Sequence, residues 1–386
     1  MIEPKDVRKI HNLPLEIKFC KRCTMSNQRP RIVFDEEGVC SACRFTEKKE
    51  NEIDWDEREK ELIELCDRHR RKDGSHDVVV PSSGGKDSTF TAYQLKYKYG
   101  MNSLTVTWAP HLYTDIGWKN YQNFIIKGGF DNTMFMPDGK VNSKLCKFTF
   151  EKLGDPFKPF EYGASCFPLQ VSVKYKIPLI MYGENSEVEY GGGKKNEDSP
   201  TRDYIKDYNE HVFHSLPPEA LVEHGFSKKD INSYLRPPIE ELERNRTESH
   251  MLGYYINWVP QENYYLAVEK TGFTANPERS EGTYSKYASL DDKTDGFHYY
   301  MMFIKFGIGR ATSDSAHEIR DGHLTREEGV HLVQKYDGEF PEKYFKTFLE
   351  YCEITEEYFW KVVDSWRTPH LWENINGKWK LKHQIS

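Results

Sequence analysis

Ser82-Ser83-Gly84-Gly85-Lys86-Asp87-Ser88 brings together the side chains and bare backbone that bind a phosphorylated ligand. Gly84 and Gly85 let phosphate oxygens approach main-chain N–H groups closely. A helix beginning near Asp87 would turn its N-terminus, the positive end of its dipole, toward the same anion. Ser83 and Ser88 add hydroxyl donors, and Lys86 adds a mobile cation. Asp87 would repel a bare phosphate, so its presence points to Mg²⁺ between carboxylate and phosphates. The spacing is not that of the Walker loop, which needs Gly-x4-Gly-Lys-Ser/Thr.

Cys20-x2-Cys23-x16-Cys40-x2-Cys43 is a second chemical unit. Two Cys-x2-Cys turns at zinc-ribbon spacing aim four thiolates at one metal. Four thiolates leave no open position for a substrate. The metal therefore reads as structural Zn²⁺, with an iron–sulfur cluster as the alternative. Arg31 to Phe34 and the Glu37-Gly38 turn suit a short hairpin between the pairs. So small a ribbon has almost no core, and the metal would supply folding energy on the order of 10 kcal/mol. Further along, Gly183-Glu184-Asn185 could set a carboxylate and an amide beside the phosphates or their Mg²⁺. Gly191 to Gly193 with Lys194 and Lys195 reads equally as an anion-binding flap or a surface loop. Cys166, just before Phe167-Pro168, reads either as a cleft thiol or as a small buried hydrophobe. Cys66 and Cys352 fall in amphipathic helices and read as core.

These residues need elements to hold them. Asp77 to Pro81, Leu104 to Trp108, Thr133 to Met136 and Pro178 to Tyr182 read as strands. Helical patterns cover Ser88 to Tyr99, Asp115 to Lys127, Val141 to Leu153 and Leu169 to Tyr175. Strands alternating with helices imply an α/β fold, a doubly wound parallel sheet that binds ligands beyond the carboxyl ends of its strands. The glycine loop and Gly183-Glu184-Asn185 both lie at such ends. The expected organisation is a zinc ribbon over 1–50, the sheet domain over 51–197, an insertion, lid or docking segment over 198–250, and a substrate-binding helical region over 251–386. A capping box at Thr325 and Glu328 opens one C-terminal helix. Helices around Glu342 to Cys352 and Glu356 to Trp366 close the chain.

The chain has 386 residues, a formal charge of −7 and 14% aromatic residues. The acidic balance disfavours a nucleic-acid surface. No apolar run has membrane-spanning length and no signal-like segment opens the sequence, so the expected setting is cytoplasmic.

The Ser-Gly-Gly-Lys-Asp-Ser string resembles the PP-loop of the ATP pyrophosphatase superfamily, whose members transfer AMP from ATP and release pyrophosphate. Taken with the four-cysteine ribbon, Tyr-Gly-Glu-Asn and the C-terminal Lys-Phe-Gly-Ile-Gly-Arg-Ala-Thr-Ser-Asp, the chain is similar to bacterial N-acetyl sugar amidotransferases of surface-polysaccharide synthesis. That resemblance implies a Rossmann-like fold and the conversion of a sugar's acetamido group to an acetamidino group through an O-adenylate. It implies ATP at Ser83, Gly84, Gly85, Lys86, Asp87 and Ser88, with Gly183, Glu184 and Asn185 alongside, and catalytic roles for Lys86, Asp87 and Glu184. Arg310, Thr312, Asp314 and Arg320 are its candidates for contacts with a nucleotide-linked sugar, although Arg310 and Arg320 read equally as structural ion pairs. A glutaminase would need a long separate lobe, and the chain has no room for one. The resemblance implies ammonia delivered by separate glutaminase and cyclase-like proteins, and no membrane partner. The competing family is the PP-loop tRNA sulfur transferases, in which Cys166 or Cys146 would carry sulfur.

Overall fold

The computed structural model describes residues 2–192, 197–201 and 216–386. Gly193, Lys194 and Lys195 of the expected flap lie outside these residues. Five strands form one parallel sheet: β1 Val78–Pro81, β2 Ser103–Trp108, β3 Asp131–Phe135, β4 Leu179–Tyr182 and β5 Glu248–Met251. Their order is β3-β2-β1-β4-β5. The chain runs outward from β1 through β2 to β3, then crosses to β4 on the other side of β1. The carboxyl ends of β1 and β4 therefore flank the point where the winding reverses, which is where open α/β sheets form a crevice.

The valine run makes β1 the centre of the sheet. Val78, Val79 and Val80 are fully buried, and each stabilises the fold by roughly 1.5–3 kcal/mol through burial. Side-chain alternation sends Val79 and Ile180 to one face, packed under the helices Gly139–Leu153 and Lys158–Tyr175. Val78, Val80, Leu179 and Met181 face the other way, toward Trp55–His69, Lys86–Tyr93 and Asp115–Ile126. With both faces covered, a central strand has no polar alternation, and the uninterrupted apolar run follows.

Three elements differ from the sequence-based expectation. β5 straddles the end of the 198–250 segment, where no strand is expected. It is a short edge strand without β-branched residues, held by Glu248, which accepts from the rings of His69 and His250 at 2.5 and 3.1 Å. The helix expected from Leu169 starts at Lys158 and runs through Pro168, a residue that removes one helical N–H and normally ends the pattern. The chain closes on a hairpin, β6 Trp372–Ile375 with β7 Lys378–Leu381. Its turn residues Asn376 and Gly377 both have positive φ, 52° and 81°, the Asn-Gly signature of a two-residue hairpin turn.

The cysteine segment forms only single bridges, Phe19 with Ser26 and Phe34 with Cys40, in place of the expected hairpin. Its four cysteines share a core with Phe297, Met301 and Phe348 of the C-terminal helices. Thr24 and Ser315 share a buried hydrogen bond of 2.9 Å across that contact. The C-terminal helices are Asp295–Phe306, Arg310–Arg320, Arg326–Tyr336, Phe345–Cys352 and Glu356–Ser365, and the Thr325/Glu328 capping box forms. Among the described residues no helix is long and apolar enough to cross a membrane.

Candidate functional site

After β1 the chain turns sharply at Gly84, where φ is +82°. A Cβ there would sit 2.7 Å from the Tyr121 backbone, so both conformation and space require glycine. Three bonds fix the turn: Gly85 N–H donates to Ser83 Oγ (3.2 Å), Ser83 N–H to Ser88 Oγ (3.3 Å), and Ser88 Oγ to the Gly85 carbonyl (3.1 Å). The helix Lys86–Tyr93 starts directly behind it, capped by Gly85 without a side-chain acceptor. Its first N–H groups are thus left for a ligand.

Lys86 Nζ lies 2.5 Å from Asp87 Oδ2, and Asn263 Nδ2 donates to Asp87 Oδ1 at 3.0 Å. The loop opens into a cavity of about 300 Å³. Its wall is apolar on the side of Val106, Trp108, Phe160 and Pro168, and polar at Ser83, Lys86 and Glu184.

Glu184 enters from β4. Gly183 precedes it because a Cβ would come 2.8 Å from the Trp258 ring. Burial, then the Asp87 charge, pushes the Glu184 carboxyl up to about 7. The Asp87 carboxylate beside the glycine turn offers oxygen ligands to a divalent cation, and the Glu184 carboxyl lines the same cavity. Asn185 is buried, and its carbonyl accepts from Val188 and Glu189 N–H, starting the short helix Ser186–Tyr190.

Of the C-terminal candidates, Arg310 and Asp314 pair with each other, and their charges bear on Tyr190 and Tyr287. Arg310 Nε pairs with Asp314 Oδ1 at 3.0 Å, and its guanidinium lies 4.5 Å over the Tyr299 ring. Burial, then Glu184 and Asp87, push the Tyr190 hydroxyl well up, and Arg310 opposes them. The Tyr190 ring lies 5.1 Å from that of His317 on the C-terminal helices, and Tyr287 has Lys86 Nζ 5.9 Å from its ring centroid. Thr312 is committed elsewhere. Its hydroxyl donates to Asp337, which also accepts from Gly309 N–H (2.9 Å) and Thr312 N–H (3.1 Å). Asp337, 25 residues downstream, thus caps the helix Arg310–Arg320, and no local pattern announces it. Arg320, at the far end of that helix, donates to the Glu189 carbonyl at 2.5 Å, and the charges of Cys23, Cys43 and Cys40 bear on it.

The four cysteines are buried, with Cys20–Cys43 and Cys23–Cys40 sulfurs 3.8 and 3.7 Å apart. A tetrahedral centre with metal–sulfur bonds of about 2.3 Å has edges of about 3.8 Å. These two opposite edges match it, and all four sulfurs lie within 4.8 Å of one another. Arg22 and Cys40 N–H donate to Cys20 Sγ, and Met25 N–H donates to Cys23 Sγ. The cluster fits a structural metal such as zinc. Cys166 is fully buried in the core under β2 and β4. Cys146 is equally buried, 3.5 Å from Cys352.

Residues absent from the sequence-based set complete the frame. Lys49 Nζ donates to Glu189 (3.2 Å) and to the Trp258 carbonyl (3.0 Å). His317 Nε2 stands 3.3 Å from Glu189 Oε2. Burial first, then Arg320 and Lys49, hold the His317 imidazole far below its ordinary range and hence neutral.

Residues 281–386 match the family described as "LPS biosynthesis protein WbpG-like, C-terminal domain". A comparison with curated proteins gave no match. The matched segment carries Arg310, Thr312, Asp314 and Arg320, and it is similar to a domain of an LPS biosynthesis family.

Proposed function

We propose that the chain is an ATP-dependent N-acetyl sugar amidotransferase of LPS O-antigen or related surface-glycan synthesis. The observation that carries this reading is one crevice lined both by the glycine turn with Lys86 and Asp87 after β1 and by Glu184 after β4, in a chain whose C-terminal segment is WbpG-like.

The triphosphate of ATP lies on Gly84, Gly85 and the N-terminus of Lys86–Tyr93, with Lys86 against it and the base along Trp108 and Phe160. Asp87 holds Mg²⁺, which when bound shields the phosphate charge. Arg310 orients the sugar or its nucleotide phosphates. The acetamido oxygen attacks the α-phosphorus and pyrophosphate leaves into the glycine turn, where positioning and fixed donors lower the barrier. Ammonia then adds to the activated carbon, the C–O bond to AMP breaks, and one proton is lost from the attacking nitrogen. Glu184, held near neutrality, accepts that proton. The ammonia comes from separate glutaminase and cyclase-like proteins. The cysteine-bound metal has no part in the reaction steps; it holds the fold.

Incubation with ATP, ammonium and candidate nucleotide-linked diacetamido sugars, read by mass, tests the reading. The product has one amide oxygen replaced by NH, with AMP and pyrophosphate released. Formation of ADP and phosphate, or no sugar-dependent AMP with any candidate, would overturn it.

A further inference from the structure

Arg320 has an environment that a sugar contact does not explain. It is 8% exposed, one guanidinium nitrogen donates to the Glu189 carbonyl, and Nη1 is buried with no hydrogen-bond partner. The charges that bear on it most are those of the Cys23, Cys43 and Cys40 thiolates, followed by Glu189. A buried cationic nitrogen without an acceptor costs several kcal/mol unless an opposite charge faces it. Four thiolates around a dication carry a net charge of about −2, which would attract such a cation through space without a direct hydrogen bond.

The same arginine sits at a junction. The segment Ser186–Gly192 follows Glu184-Asn185 directly, and residues of the cysteine region and of Arg310–Arg320 hold it. Lys49 and His317 meet the Glu189 carboxylate, Arg320 meets the Glu189 carbonyl, and Arg29 Nε donates to the Gly191 carbonyl at 2.7 Å. Lys49 lies at the end of the helix Ser41–Asn51, whose cap and first turn contain Cys40 and Cys43.

We infer that Arg320 is a positioning residue, the counter-cation of a tetrathiolate metal centre, and that through Glu189 it makes the placement of the Glu184-bearing segment depend on metal occupancy. The centre is then more than a brace for its own ribbon. With the metal gone, the guanidinium loses its negative partner and the Glu189 anchor loosens. The inference rests on the chain's own residues and holds whether or not the amidotransferase reading survives.

The experiment uses the full chain purified with reduced thiols, its zinc content measured first. Wild type, Arg320→Lys and Arg320→Gln are challenged with a colourimetric zinc chelator, and amide hydrogen exchange is followed over 184–192. Arg326→Gln, whose half-buried parent side chain donates to the Cys20 carbonyl, is the control. Zinc loss is expected to be about 10-fold faster in Arg320→Gln, intermediate in Arg320→Lys and near wild type in Arg326→Gln. Exchange over 184–192 rises in Arg320→Gln and rises equally in zinc-stripped wild type. Zinc retention in Arg320→Gln equal to wild type would overturn the inference. So would stripping that speeds exchange only around the cysteines, or a reduced protein that contains no metal. Should Arg320→Gln not fold, the Arg320→Lys chelation rate and the stripped wild type decide alone. None of these readouts depends on turnover.

Discussion

Lys49 and Glu189 form an ion pair closed to solvent, Nζ to Oε1 3.2 Å, with side chains 7% and 5% exposed. It joins the helix that begins at the cysteine cluster to the segment that follows Glu184. Removing one partner leaves a buried charge alone, which typically costs about 3–5 kcal/mol. Lys49→Met is therefore expected to lower the urea midpoint sharply, and Lys49→Met with Glu189→Leu to recover much of the loss. Equal loss in single and double variants would show that the pair itself is not what matters there.

Gly84 and Gly85 should respond differently to alanine. Gly84→Ala meets both a positive φ and the Tyr121 backbone, and is expected to cost about 2 kcal/mol or more and to abolish ATP binding. A Cβ at Gly85 meets only Ser83 Oγ, at 3.1 Å. Gly85→Ala should keep most stability while weakening ATP binding, as read by calorimetry and thermal melts.

How much of this was legible in the sequence depends on how local each cause is. The valine run, the glycine turn and the Cys-x2-Cys spacing carry their reasons within a dozen residues. β5 does not: Glu248-Ser249-His250-Met251 becomes a strand because β4 offers an open edge and His69 a partner. Pro168 masked half a helix whose other residues pack well. The resemblance groups Thr312 and Arg320 with Arg310 as sugar contacts. Their side chains are held by Asp337 and by the Glu189 carbonyl, partners that only the fold supplies.

Stability should fall as pH rises across the mildly acidic range. Burial pushes Asp292 up to about 7 and Asp337 up to about 6, from an ordinary value of 3.8. Between about 4 and 7 these two groups hold protons in the folded chain that they lack when unfolded, so their contribution to unfolding free energy decreases with pH. The buried, neutral His111 and His317 contribute in the opposite sense. The urea midpoint is expected to be higher at pH 5 than at pH 8. Asp292→Asn should flatten that slope, which an unchanged pH dependence would contradict.

Glu184→Gln should separate the two halves of the proposed reaction. The amide cannot accept a proton from the attacking ammonia, so amidine formation is expected to fall ~10²–10⁴-fold. Adenylation needs Lys86 and the glycine turn rather than Glu184, and pyrophosphate–ATP exchange with sugar present should persist. Loss of both would place Glu184 with the phosphates or their Mg²⁺.

Arg310 and Asp337 lie at the same helix end and make opposite predictions. Asp337 accepts from Gly309 N–H, Thr312 N–H and the Thr312 hydroxyl. Asp337→Ala leaves those donors buried and should cost about 1–3 kcal/mol, with its effect on activity following the fraction folded. Arg310 makes its ion pair with Asp314 and stacks on Tyr299. Arg310→Lys keeps a positive charge but loses the planar fork that grips a phosphate or carboxylate. It should raise KM for the nucleotide-linked sugar about 10-fold or more while leaving KM for ATP and the melting temperature near wild type. A rise confined to ATP would move Arg310 from the sugar to the triphosphate, and a fall in melting temperature alone would make it a structural ion pair.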